Sequence, residues 1–346
     1  MNIGTIRKGK LNLITDVEGI AVGNAEDTDV RTGVTVVLPD EAAVAAVDVR
    51  GGGPGTRETE ALDPACLVDA VHGLVLSGGS VYGLDAASGA VAWLGVRGRG
   101  FALGNSPLVA PVVPSAILFD LTNGGNKDWG EEPPYRALGR EACERAGRSF
   151  SLGNAGAGFG ARAGLFKGGL GSASAVSESG LAVGALIAAN PFGSVVMPGS
   201  RAFWAAPYEM DGEFGGHGWP ADMGFASRDP FDDTKAALAG VSPGTNTTIG
   251  VVAVNADLTP AEARRVAIMA QDGVARAIRP VHTPVDGDII FVLATGRAPL
   301  GAENRAARIA WLGSLAADCV ARSVARGVYE AESLGGIASY RERHGK

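Results

Sequence analysis

A chain of 346 residues, 46% of them hydrophobic, is long enough to bury a sizeable core without disulfides or a metal. Its 30 Lys and Arg stand against 37 Asp and Glu, a formal charge of −7, and with no long basic run nucleic acid is excluded as an expected partner. Cys66, Cys143 and Cys319 form neither a disulfide framework nor a metal-ligand spacing, and neither a signal-peptide core nor an apolar run of ~18 residues occurs, so a cytoplasmic protein without a membrane partner is expected.

Short Val- and Ile-rich runs alternate with longer Ala-rich segments, the pattern of an α/β protein whose strands are covered on both faces. In chain order, strands are expected over residues 33–38, 43–49, 74–76, 115–121, 181–188, 248–254 and 288–294. Helices are expected over 80–94, after the Ser77-Gly78-Gly79 turn, and over 137–146. The strongest helix signal runs from Pro260 to Ile278, where Thr259 and Glu262 make a capping box and Pro260 suits the first turn. A last helix, 303–330, carries Ile309, Leu312, Leu315, Cys319 and Val320 at helical spacing. Between these elements, residues 211–246 hold Gly, Pro and Asp with little apolar continuity, as in a surface loop, linker or processing segment. With 52 glycines and only 19% charged residues, the chain should bury much surface, subunit contacts included.

Several motifs carry a bland reading. Gly240-Val241-Ser242-Pro243-Gly244 fits G-x-S-x-G, but a nucleophile elbow joins a strand to a helix, and here a short helix precedes and a strand follows. Gly158-Phe159-Gly160 imitates a dinucleotide loop without the flanking strand and helix, and reads as a glycine-rich turn. Gly51-Gly52-Gly53-Pro54-Gly55 fits a close approach to a ligand and a structural turn equally. His72, His217, His282 and His344 show no metal-ligand spacing, so no metal is expected, and His282 in its loop reads as hydrogen-bonded rather than catalytic. Asp286-Gly287-Asp288 can hold a cation or a substrate amine, but spacing alone favours a polar turn.

Asn246-Thr247-Thr248 stands out by position, where the polar segment feeds directly into a buried strand. A threonine nucleophile needs a base, and its own α-amine, released by cutting the preceding peptide bond, has a pKa of about 7.7–8.0.

GTNTTIGVVAVNADLTPAEARRVA, followed by RPVHTPVDGDIIFVLATG, resembles the DmpA-type L-aminopeptidase/D-esterase family, and most closely its nylon-oligomer (6-aminohexanoate oligomer) endohydrolase branch. LITDVEGIAVGNA, AAVDVRGGGPGTRET, GLVLSGGSVYGLDAASGA, GAGFGARAG and LAVGALIAANPFG extend the resemblance, in order, over about the first 295 residues. It implies an α/β fold of the four-layer αββα sandwich type, shared with ornithine acetyltransferase, and one catalytic domain that cuts itself between Asn246 and Thr247. The products would be an α chain of 1–246 and a β chain of 247–346, assembled as a homotetramer without a cofactor. Thr247 becomes the N-terminal nucleophile, Lys167 lies beside it, Asn190 donates to the oxyanion, and Asp286 and Asp288 form the acidic pair. Two positions depart from the pattern: Phe119 stands where several relatives have a tyrosine, and Thr247 where many have serine. The expected activity is hydrolysis of linear amides such as 6-aminohexanoate oligomers. Aminopeptidase or β-peptidase action on short peptides, acyl transfer, and a non-enzymatic ligand-binding protein are the alternatives.

Overall fold

The computed structural model describes residues 4–221, 224, 228–238 and 246–345. The G-x-S-x-G stretch around Ser242 lies outside them. In chain order the strands are β1 (Ile6–Arg7), β2 (Ile20–Asp27), β3 (Thr32–Pro39), β4 (Val44–Val49), β5 (Thr56–Arg57), β6 (Leu74–Ser77), β7 (Phe101–Ala102), β8 (Val109–Ala110), β9 (Ser115–Ile117), β10 (Arg162–Ala163), β11 (Phe166–Lys167), β12 (Gly169–Ser177), β13 (Ala182–Asn190), β14 (Thr247–Ala256) and β15 (Ile289–Ala298). The helices are α1 (Ala86–Gly95), α2 (Tyr135–Glu144), α3 (Pro260–Ala277), α4 (Arg305–Glu330) and α5 (Tyr340–His344).

Two sheets carry the fold, one ordered β1-β12-β13-β14-β15-β4 and the other β2-β3-β6-β9-β5. Three apolar clusters separate four layers. One packs β12 to β15 against α3 and α4, with Val252, Val266 and Val320 among its members. The middle cluster joins the two sheets, Val251 and Phe291 from one and Val37 and Leu76 from the other. The third packs β3 and β6 against α1 and α2 through Val36, Val75, Ala90 and Leu138. The order helices, sheet, sheet, helices is the αββα sandwich expected. Along β14, Ile249, Val251 and Ala253 face the second sheet while Val252, Val254 and Ala256 face the helices, the period of two that a strand imposes.

Helix α3 starts where the sequence marks it: Thr259 Oγ1 accepts from Glu262 N at 3.3 Å, and Thr259 N donates to Glu262 Oε2 at 2.9 Å. Thr259→Ala should therefore lower unfolding stability by about 1 kcal/mol, measured by denaturant titration. Two expectations shift. The expected 80–94 helix is a 3-10 turn over Ser80–Asp85 before α1, because Gly79 and Ser80 both have positive φ and a Cβ on Gly83 would meet the Gly78 carbonyl at 1.9 Å. The strand from Ser115 ends at Ile117, beyond which the Asp120 carboxylate accepts Thr32 Oγ1 and Gly79 N.

The 211–246 segment is also less peripheral than its composition suggests. Phe214 is buried, and the half-buried Glu213 pairs with Arg322 of α4, whose guanidinium also donates to Ser174 O and Asn12 Oδ1 at 2.8 Å each. Glycine, which the composition shows as abundance alone, permits close layer contacts: a Cβ on Gly171 of β12 would meet Ser323 O of α4 at 1.9 Å. No helix among the described residues is long and apolar enough to cross a membrane.

Candidate active site

Strand direction brings distant segments to one edge of the first sheet. β14 and β15 are parallel, so both begin there; β13 is antiparallel to β14 and ends there, and β12, antiparallel to β13, begins there. β4 runs antiparallel to β15 and delivers Gly51-Gly52-Gly53 to the same edge. Thr247 is the first residue of β14 and Asn190 the last of β13, and the two are register partners. By strand alternation both side chains point into the space between the sheets, with Ile249 and Ala188. Each is 2% exposed.

Thr247 Oγ1 donates to the carbonyl oxygen of Asn246, the residue before it. The same carbonyl oxygen accepts Gly287 N at 2.9 Å. A hydroxyl and a fixed backbone donor thus meet at the Asn246–Thr247 peptide bond. Gly287 is required by space, since a Cβ there would meet Gly53 O at 2.7 Å and Thr247 Oγ1 at 2.9 Å. Gly51 is equally constrained: its Cβ would meet Asp288 N at 2.3 Å, while Gly53 N donates to Asp286 O at 2.7 Å. The glycine run packs backbone against backbone beside the threonine, as its reading as a structural turn expects.

The acidic pair braces this edge. Asp286 accepts Phe192 N at 3.0 Å, Thr283 N at 3.0 Å and Thr283 Oγ1 at 2.5 Å. Burial, and then the neighbouring Asp288, raise its pKa against the pull of those hydrogen bonds. Asp288 accepts Thr248 N at 2.8 Å with one oxygen, and His282 N at 3.1 Å with the other, which also lies 2.8 Å from His282 Nδ1. Asp288 holds the backbone that follows Thr247 and Asp286 the neighbouring Phe192 and Thr283 segments, while the Thr247 hydroxyl goes to Asn246 O. Among the described residues, no group of three or more His, Cys, Asp and Glu is placed to hold a metal ion.

Asn190 is gripped at both ends of its amide. Oδ1 accepts Arg162 N at 2.9 Å and Lys235 Nζ at 3.1 Å, and Nδ2 donates to the Phe119 carbonyl at 3.0 Å. The position that departs from the family tyrosine therefore acts through its main chain. Lys167, which the resemblance implies lies beside the threonine, gives its hydrogen bonds to main-chain carbonyls. Its ammonium, 1% exposed, donates to Gly158 O at 3.1 Å and Gly168 O at 2.7 Å. Its hydrogen bonds thus go to the Gly156–Gly158 turn and its own loop, not to the threonine. Burial pushes its pKa down to about 7, against an opposing pull from the buried Asp120 carboxylate.

Lys235 is the residue that sequence reasoning missed. It lies in a short 3-10 turn capped by Thr234, within the short helix expected ahead of Ser242. Its ammonium donates to both Asn190 O, at 3.0 Å, and Asn190 Oδ1. Burial lowers its pKa to about 7, with Asp286 opposing and Arg162 reinforcing the shift. No motif marks it; the only signal is a lone lysine among small residues ahead of the threonine.

Solved structures share this architecture. An L-aminopeptidase D-Ala-esterase/amidase from Ochrobactrum anthropi, described as a variant of the Ntn-hydrolase fold, superposes with a TM-score of 0.72 at 22% identity, covering 98% of this chain and 94% of that one. A β-aminopeptidase from a Burkholderia species gives 0.69 at 23% identity, covering 100% and 95%. The αββα sandwich of this chain is thus the fold of these two structures. The peptidase family S58 model matches residues 12–341, and the chain belongs to that family of amide- and peptide-bond hydrolases, as its resemblance implied. An uncharacterized aminopeptidase of Mycobacterium tuberculosis is 44% identical over 348 residues, 96% of this chain and 98% of its own. A 6-aminohexanoate-oligomer endohydrolase of a Kocuria species is 30% identical over 304 residues, 84% of this chain and 77% of its own.

Proposed function

We propose that this protein is a self-processing amidohydrolase whose nucleophile is Thr247, released as an N-terminus by cutting the Asn246–Thr247 bond. The observation that carries the reading is the Thr247 hydroxyl lying against the Asn246 carbonyl, whose oxygen the Gly287 N–H already polarises. In the first step Oγ1 attacks that carbonyl carbon and the C–N bond breaks. The departing nitrogen takes the hydroxyl proton, and water then hydrolyses the ester to free the Asn246 carboxylate and the Thr247 hydroxyl. In turnover, the new α-amine accepts the Oγ1 proton as the oxygen attacks a substrate amide, and passes it to the leaving amine. The negative charge on the carbonyl oxygen falls to the free N–H of Asn190 Nδ2 and to backbone amides. Asp286 and Asp288 keep strand starts and loop aligned, and Lys167 holds the Gly158 turn beside them.

The β chain, 247–346, would carry β14, β15, α3 and α4, and the α chain, 1–246, would carry β13. Because β13 and β14 pair over eight residues in the middle of a sheet, the two pieces stay joined after the cut. The same reading takes the assembly as a homotetramer of cleaved protomers.

For substrate, linear amides with aliphatic spacing, such as 6-aminohexanoate oligomers, follow from the likeness to the oligomer endohydrolases. Aminopeptidase action on short peptides is the second reading, favoured by the 44% identity to a mycobacterial aminopeptidase. Denaturing mass measurement should find two fragments of about 25 and 10 kDa, the shares of 35.0 kDa that 246 and 100 of 346 residues imply. A single full-length species with full amidase activity would refute the self-cut. Comparing kcat/KM on 6-aminohexanoate oligomers with α-aminoacyl anilides and β-peptides then separates the substrate readings, the oligomers being expected to lead. Turnover of the anilides or β-peptides alone moves the function to the peptidase reading.

A further inference from the structure

We infer that Lys235 is a positioning residue for amide hydrolysis: it holds the Asn190 side chain so that the amide nitrogen, not the oxygen, serves the oxyanion beside Thr247. The inference rests on Thr247 being the nucleophile and extends it to a residue that lies 11 positions before the proposed cut.

A carboxamide has an acceptor end and a donor end of nearly equal size, so packing alone chooses poorly between its two orientations. Here the surroundings choose. Oδ1 faces two donors, Arg162 N at 2.9 Å and Lys235 Nζ at 3.1 Å, while Nδ2 faces an acceptor, the Phe119 carbonyl at 3.0 Å. Turning the amide over would set N–H groups against an ammonium and a backbone N–H, and a carbonyl against a carbonyl. One hydrogen of Nδ2 goes to Phe119. The other remains for a ligand on the face that Asn190 shares with Thr247, its register partner.

The lysine is also tied down. Its ammonium bonds the Asn190 main-chain oxygen at 3.0 Å as well as the side chain, and its own backbone N donates to Phe192 O at 3.0 Å. It is therefore fixed to both sides of the Asn190-Pro191 corner, where β13 ends. Lys167, the lysine that the resemblance puts beside the threonine, makes no hydrogen bond to Asn190. The lysine in contact with the oxyanion candidate is Lys235. Arg162 N is a main-chain donor and survives any substitution of Lys235, so loss of the lysine should loosen Asn190 without freeing it. The cost should accordingly be smaller than that of losing Asn190 itself.

The test is a double-mutant cycle of Lys235→Met and Asn190→Ala, with turnover of an aminoacyl anilide normalised to correctly cleaved, folded protein. Lys235→Met should lower kcat about 10- to 100-fold, as for a misplaced catalytic group, with KM nearly unchanged. In the Asn190→Ala background the same substitution should cost less than about twofold, because the group it positions is gone. Lys235→Arg, which keeps a donor, should recover much of the loss. Unchanged kcat in Lys235→Met, or a full further loss in the Asn190→Ala background, would overturn the inference; the second result marks a general structural role. Thr247→Ala is measured alongside: if it keeps its activity, the nucleophile assignment falls, whereas an inactive Thr247→Ala with an additive cycle rejects the Lys235 inference alone.

Discussion

Replacing Thr247 with alanine should leave the chain at full length and reduce amide turnover by a factor on the order of 10⁴ to 10⁶, the scale on which removal of a nucleophile acts. Both effects follow from one atom. Oγ1 lies against the Asn246 carbonyl, where the proposed self-cut would have it attack the chain's own peptide bond, and it faces the space between the sheets, where a substrate carbonyl would stand after the cut. Thr247→Ser keeps the hydroxyl and should still be processed and active. Ser242→Ala should behave as the wild type, because the sequence around Ser242 runs from a short helix into a strand, the reverse of a nucleophile elbow. Intact-mass measurement and anilide hydrolysis on the same samples check all three. An active, full-length Thr247→Ala protein would remove the threonine from both reactions.

How far the sequence disclosed this arrangement differs element by element, for physical reasons. β3, β13, β14 and the first six residues of β15 were legible because Val, Ile and Ala runs buried on both faces leave a continuous apolar signature, and β4 carries a shorter run of the same kind. β12 was not: GLGSASAVS contains a single β-branched residue, since its glycines and serines make room for α4 and for buried hydrogen bonds, such as Ser172 Oγ to Ala185 O at 2.7 Å. β2 was missed for a similar reason, its polar Asn24 and Glu26 breaking the run while they bind Thr35 Oγ1 and Gly156 N. At the site, Thr247 could be singled out from position alone, because a polar segment feeding a buried strand leaves a mark in one dimension. Asn190, Lys167 and the acidic pair needed the family resemblance, since what joins them is strand direction. Lys235 had neither signal. Its role comes from two contacts with a residue 45 positions away.

Asn190→Ala should separate the two reactions proposed for Thr247. In turnover the oxyanion forms on the substrate, and losing a positioned donor to it costs about 10² to 10³ in kcat. Because that donor acts on charge that develops only in the transition state, KM should change little. In self-processing the carbonyl oxygen belongs to Asn246, and its donor is the Gly287 N–H at 2.9 Å, which the substitution leaves in place. The variant should therefore still be cut while being slow on substrate. Some stability is lost as well. Alanine leaves the Phe119 carbonyl and the Arg162 N–H without their side-chain partners, at about 1 to 3 kcal/mol for each group left buried and unsatisfied. Urea unfolding measures that penalty independently, so a folded, fully cut Asn190→Ala protein with kcat reduced at least a hundredfold is the expected result. The same protein turning over at the wild-type rate would take Asn190 out of the oxyanion site and leave the charge to backbone donors.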